Sequence, residues 1–192
     1  MRVENRTGTL EIAGLKENKP EYIIIHSTYN HPEFENVLRC HKDKGWNGAG
    51  YHLFVSNSNK VSQGRPFDKE GAHAWGFNTK SIGLCFHQNG KIDSKIGIVR
   101  EHISDLKNEY KSIEVIPHTL AQVIYNNKLL KEAGIDRQFP ETIDVVNEKL
   151  FHEIKSETDR LVGTLSTSDS LNLKQALKDF KNCPGESFYR FI

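Results

Sequence analysis

The sequence predicts an α/β fold, a mixed central β-sheet flanked by helices, and three features carry that expectation. Strand-like runs and helix-like stripes alternate along much of the chain, the stretch Tyr22 to Asn30 opens with three successive isoleucines, and a hairpin pattern follows at 51–65. An unbroken run of branched side chains suits a central strand covered on both faces. Interleaved strands and helices place the helices against the sheet.

Residues 1–20 are polar, with a short strand expected at Thr9 to Ala13, and Pro20 marks the entry to the Ile23 to Ile25 strand. Ser27, Thr28, Asn30 and Pro32 close that strand in a polar turn, leaving His26 at its carboxyl end. Between Pro32 and Lys44, the positions Phe34, Val37, Leu38 and His41 keep the spacing of a one-faced helix, which Gly45 terminates, so His41 is expected to face inward. Tyr51 to Ser56 and Val61 to Arg65, joined by the turn Asn57 to Lys60, read as a hairpin. Residues 66–80 hold Gly71, His73 and Gly76 without periodicity and read as a long loop, a common seat of function. Ser81 to His87 is the next strand, Val99 to Ile113 an amphipathic helix, and Glu114 to Pro117 a short strand that delivers His118.

The carboxyl third is helical in pattern. Leu120, Val123, Ile124 and Leu130 mark a helix ending at Gly134; Ile143, Val146, Leu150 and Ile154 mark a second, and Leu173, Ala176, Leu177 and Phe180 a third. The Ser/Thr-rich segment Gly163 to Ser170 links the last two and offers caps for the third. The organisation expected is one domain over residues 1–192 with a helical insertion at 119–180, and no internal repeat.

A chain of 192 residues suits one core. Its formal charge of +1 gives no nucleic-acid footprint and no polybasic membrane patch. No stretch approaches the roughly 18 apolar residues that span a bilayer, and the amino terminus lacks an apolar export core. The expectation is a protein made in the cytoplasm, a monomer that inserts in no membrane. Cys40, Cys85 and Cys183 are odd in number and widely spaced, so they read as reduced thiols rather than a disulfide framework.

Two histidines, His26 and His118, each follow a short apolar strand, and Cys183 precedes the turn Pro184-Gly185. Two imidazoles and a thiolate leave the fourth tetrahedral position of zinc to water, the pattern of a catalytic site. A second reading stands beside it, in which His118 caps the following helix and Cys183 is a small buried apolar residue.

The blocks Lys44 to Val55 (Lys-Gly-Trp-Asn-Gly-Ala-Gly-Tyr-His-Leu-Phe-Val), Gly64-Arg65, Gly71 to Asn78 (Gly-Ala-His-Ala-Trp-Gly-Phe-Asn) and Ser81 to Phe86 are similar to the zinc-dependent N-acetylmuramoyl-L-alanine amidases, amidase type 2. That family includes the T7-type phage lysozyme and the peptidoglycan recognition proteins. The resemblance runs from about residue 20 to 118 and resumes at 181–188. It implies Zn2+ held by His26, His118 and Cys183, with Tyr51 beside the metal-bound water and Lys181 as a further catalytic residue. It places His73 in the substrate cleft; beside it, Trp75 reads as a cleft aromatic for sugar or peptide packing, and Asn78 and Arg65 as further substrate contacts. Zinc at such a site activates water near neutral pH and polarises an amide carbonyl, and Tyr51 or Lys181 could donate to the developing oxyanion. As alternatives, Tyr51 is a packed aromatic of the hairpin and Lys181 a solvated residue at a helix end. His41 and His52 are expected to hold the Gly-Trp block in shape, Trp46 to be core rather than the cleft aromatic it could also be, and His31, His87, His102 and His152 to lie on the surface.

Two departures from the family pattern stand out. The second histidine and the cysteine, close together in the family, are here separated by the 119–180 insertion, which reads as a lid or substrate wall. The stretch from Ser81 to His118 is short for the family, which leaves His152 as an alternative ligand to His118. The function expected is a zinc-dependent, endolysin-like hydrolase that cleaves the bond between N-acetylmuramic acid and L-alanine in peptidoglycan and acts on the cell wall after release or specialised secretion. The rivals are a non-catalytic peptidoglycan-binding recognition protein and a cytoplasmic muropeptide-recycling amidase.

Overall fold

The computed structural model describes residues 2–88 and 93–132, and the single positions 134, 136, 139, 141, 156 and 160. In chain order these form β1 (Val3–Asn5), a 3-10 turn (Thr7–Thr9), β2 (Tyr22–Thr28), α1 (Phe34–Asp43), β3 (Leu53–Val55), β4 (Val61–Gln63), β5 (Ser81–His87), α2 (Asp93–Glu109), β6 (Glu114–Pro117) and α3 (His118–Glu132). The strands make one sheet in the order β1-β4-β3-β5-β2-β6. Among the described strands the β3–β4 hairpin pairs antiparallel, whereas β1 runs parallel to β4, β2 to both β5 and β6, and β3 to β5. This is the mixed α/β sheet the sequence predicts. No helix among the described residues is long and apolar enough to cross a membrane.

The side-chain period of two sorts β2 cleanly. Ile23 and Ile25 pack with Leu84, Phe86 and the α2 residues Val99, Ile103 and Leu106 on one face. Ile24 turns to the other, where it meets Ala74, Phe77, Ile116, Leu120 and Ala121. Ile23, Ile24 and Ile25 are each 0 % exposed, which is why no polar residue interrupts the run. His26, two residues after Ile24, therefore shares the face that carries the 66–80 loop and α3.

Helix α1 is fixed at both ends. The Glu33 side chain and the Asn36 side chain form a reciprocal capping box at its start. At its end Gly45 adopts φ +77°, and its amide donates to the Lys42 carbonyl at 2.8 Å. Phe34, Val37 and His41 face inward, as their spacing predicts.

Two local expectations are corrected. The strand predicted at Thr9 to Ala13 is absent, and β1 lies earlier, at Val3–Asn5, beside β4. Polar side chains redirect the backbone there: Asn5 Oδ1 accepts from the Thr7 amide at 3.0 Å and from its hydroxyl at 2.7 Å, and Thr9 Oγ1 donates to the Arg6 carbonyl at 2.7 Å. Ile113 lies beyond the end of α2 yet still joins its core. The predicted helices at 143–154 and 173–180 lie outside the described residues.

Because Ile25 fills the α2 face at a level where neighbouring strands are already close-packed, Ile25→Ala should cost about 2–5 kcal/mol. Urea unfolding should show a lower midpoint at an unchanged denaturant slope.

Candidate metal centre

Between β2 and β6 the registered pair Ile25 and Pro117 is the last rung, and the residue that follows each in the chain is a histidine. Parallel register sets His26 and His118 side by side, and His118 opens α3 as β6 ends. Their rings are 4.4 Å apart by centroids, and the residues are 2 % and 6 % exposed. Two imidazoles sharing one tetrahedral zinc at Zn–N of about 2.0 Å stand roughly 5 Å apart by centroids, so the spacing suits a single ion. The donor chemistry suits zinc as well, since two ring nitrogens on rigid strand ends are ligands it favours.

Both rings open on a cleft of about 740 Å³, lined also by Tyr51, His73, Trp75 and Asn78. The Tyr51 ring stands 5.0 Å from that of His26. His73 Nδ1 lies 3.0 Å from His26 Nε2. Burial is the first cause that holds His73 well below the usual histidine range, with His52, His118 and Arg65 adding to it, so it is neutral at pH 7. Asn78 shapes the loop that carries His73: its Oδ1 accepts from the amides of His73 and Ala74 at 2.9 and 3.0 Å.

Arg65 takes another position. It is 2 % exposed and is not among the cleft-lining residues; its Nε donates to the Ala49 carbonyl and its Nη1 to the Glu70 carbonyl, each at 2.6 Å. Burial lowers its pKa to about 10, with Glu70 opposing. The side chain thus ties the Gly-Trp block to the start of the long loop. His41 and His52 also brace this region. His41 Nδ1 accepts from the Gly50 amide at 2.8 Å, while the neutral His52 ring accepts from the Gly83 amide at 3.0 Å and donates from Nε2 to the Lys69 carbonyl at 2.9 Å.

Cys183 and Lys181 lie outside the described residues, as does His152. Among the described residues no group of three His, Cys, Asp or Glu side chains closes on a point that could hold a metal. Among the described residues the strand ends offer two nitrogen donors to the cleft. Cys85 is buried within the sheet.

Several placements escaped the sequence. Trp46, expected in the core, is 37 % exposed and lines the cleft, its ring 4.5 Å from that of His41. His87 and His102, expected at the surface, are each 6 % exposed. His87 ends an inner strand, and His102 sits three residues after Val99 on the inward stripe of α2. His31 lines the cleft. Tyr125 of α3 accepts a hydrogen bond from the Trp75 indole at 3.0 Å, and nothing in local spacing announces that pair.

A family model described as N-acetylmuramoyl-L-alanine amidase matches residues 16–186, and the chain belongs to that family. It is 25% identical over 118 residues to an endolysin of Klebsiella phage KP32, a match covering 54% of this chain and 77% of that one. Against the endolysin of Escherichia phage T7 it is 34% identical over 77 residues, covering 38% of this chain and 50% of that one. Other phage endolysins are likewise matched over about half of their length or less. Among solved structures, an N-acetylmuramoyl-L-alanine amidase, LysC, from Clostridium intestinale superposes with a TM-score of 0.51 at 25% identity, covering 62% of this chain and 83% of that one.

The buried His52 supplies a prediction. Burial, with Arg65 adding, lowers its pKa to about 4, against the bond to the Lys69 carbonyl. A second ring proton would also confront the Gly83 amide. The unfolded chain binds that proton near pH 6.5, so the stability His52 contributes is complete above about 6.5 and is lost as pH falls toward 4, by roughly 3 kcal/mol in all. Urea unfolding of the parent should weaken between pH 7.5 and pH 5. His52→Gln should be less stable at pH 7.5 but show a shallower decline, and parallel declines would remove His52 as the cause.

Proposed function

We propose that the protein is a zinc-dependent peptidoglycan hydrolase, an N-acetylmuramoyl-L-alanine amidase that cleaves the amide between N-acetylmuramic acid and the L-alanine of the stem peptide. The single observation that carries this reading is the pair His26 and His118, brought level at the carboxyl ends of neighbouring parallel strands and opening on one cleft. Family membership and the endolysin relatives support the same substrate class.

In this reading His26, His118 and Cys183 hold the ion, within a single domain over 1–192. Bound zinc supplies Lewis acidity and activates water near neutral pH. The Tyr51 Oη–H and the Lys181 ammonium donate to the scissile carbonyl oxygen as negative charge gathers on it. His73, Asn78 and Trp75 line the groove for the substrate, Trp75 offering an indole face to a sugar or peptide. Arg65 acts on substrate through the loop it ties down. The protein works as a monomer on the cell wall, after release or specialised secretion.

Digestion of purified cell wall followed by muropeptide analysis tests the proposal. Free stem peptides with amino-terminal L-alanine should appear, disappear with a chelator, return with added zinc, and be absent for Cys183→Ser. Binding without any release would instead favour a recognition protein. Peptide release that ignores the chelator would sink the zinc mechanism.

Tyr51 has a separate readout. Losing one oxyanion donor costs on the order of 2.7–4 kcal/mol. Tyr51→Phe should therefore lower kcat by about 10²–10³ with little change in KM, whereas a merely packed Tyr51 would leave kcat within a few fold.

A further inference from the structure

The His73 ring lies in a slot that two glycines keep open. A Cβ at Gly71 would come within 2.3 Å of the ring, and one at Gly83 within 2.6 Å. Gly83 lies on β5 directly beside Ile24 of β2, so the slot is cut into the sheet two residues before the level of His26.

From that slot a line of hydrogen bonds runs in both directions. His73 Nδ1 is 3.0 Å from His26 Nε2, and His73 Nε2 is 3.4 Å from Ser81 Oγ. Ser81 Oγ is 2.7 Å from the Phe77 carbonyl oxygen. The far end fixes the sense of the whole line. A carbonyl only accepts, so the Ser81 hydroxyl spends its proton on Phe77 and offers a lone pair to His73. At pH 7.5, above the ordinary imidazole pKa of about 6.5, His73 has one ring proton, which the Ser81 lone pair draws to Nε2, so Nδ1 accepts. The donor to that Nδ1 is His26 Nε2–H, which leaves the lone pair of the His26 ring on Nδ1.

We propose that the Phe77 carbonyl, Ser81 and His73 form a relay that sets the tautomer of His26, so that Nδ1 is the atom it presents to a metal ion. His73 is then a positioning residue that acts through His26, in addition to lining the cleft. This inference rests on the reading above in which His26 holds the ion. Partners of this kind, bonded to the second nitrogen of a metal-binding histidine, typically change metal affinity by 10–100-fold.

The test uses the full chain in zinc-free and zinc-loaded forms. Nitrogen NMR of the histidine rings in zinc-free protein at pH 7.5 should show His26 protonated at Nε2, and Ser81→Ala should weaken that preference. Competition with a chromogenic chelator should show zinc bound about 10–100-fold more weakly by His73→Leu. His73→Asn, whose Oδ1 can still accept from His26, should recover most of the affinity, with thermal unfolding confirming that each variant is folded. A His26 ring protonated at Nδ1 in the parent overturns the relay, as does a folded His73→Leu with parental affinity. If His73→Leu fails to fold, the NMR comparison of Ser81→Ala with the parent decides, an unchanged tautomer overturning the relay. A parent that binds no zinc would refute the functional proposal, while the tautomer measurement would still judge the relay.

Discussion

The parallel register of β2 with both of its neighbours is the constraint on which the rest depends. Tyr22, Ile23, Ile24 and Ile25 are level with Glu114, Val115, Ile116 and Pro117 on one side and with Ser81, Ile82, Gly83 and Leu84 on the other. With a side-chain period of two, this arithmetic puts His26, His118, Gly83 and Cys85 on a single face. Slipping either strand by one residue would send a histidine into the apolar layer beneath α2. The interlocked packing of Ile23 and Ile25 on that opposite face is what forbids such a slip. Core packing on one side of the sheet thereby sets ring spacing on the other.

Crowding several imidazoles on one face is possible because most of them are neutral and already bonded to backbone. His41 accepts from the Gly50 amide, and His52 bridges the Gly83 amide to the Lys69 carbonyl. Burial without these bonds would cost several kcal/mol per polar group. Charged rings packed this closely would repel one another in a poorly screened interior. The neighbours of the candidate ligands are thus a scaffold of fixed donors and acceptors, and the cleft is more rigid than its loop content suggests.

Legibility in the sequence followed how local each determinant is. β5 and β6 could be read from apolar runs, and α1 from the spacing of Phe34, Val37 and His41, because burial on a face imprints a period. His26 and His118 stood out for the same reason, as polar residues ending such runs. β1 could not be read, since three largely polar residues become a strand only by pairing with β4. Trp46 was misplaced because the choice between core and cleft depends on how its indole lies over His41 and against Gly50, a tertiary matter. Ser81 was legible only as the first residue of a strand; its bond to Phe77 appears once the 66–80 loop has folded back.

α3 carries the last step. It starts at the second strand-end histidine, and its first turns do more than continue the chain. Leu120 and Ala121 cover the Ile24 face, and one turn further Tyr125 takes a hydrogen bond from Trp75. Gly76 has φ +78°, and a Cβ there would fall 2.2 Å from the Tyr125 ring, so that ring rests directly on the loop backbone. The helix therefore holds down the same loop that carries His73 and Asn78. Any shift of α3 along its axis would be felt at once by His118 at its start and by the cleft wall at Trp75. Residues 118–125 consequently couple a candidate ligand to a candidate substrate contact through one rigid element, and chain added after them need not disturb either.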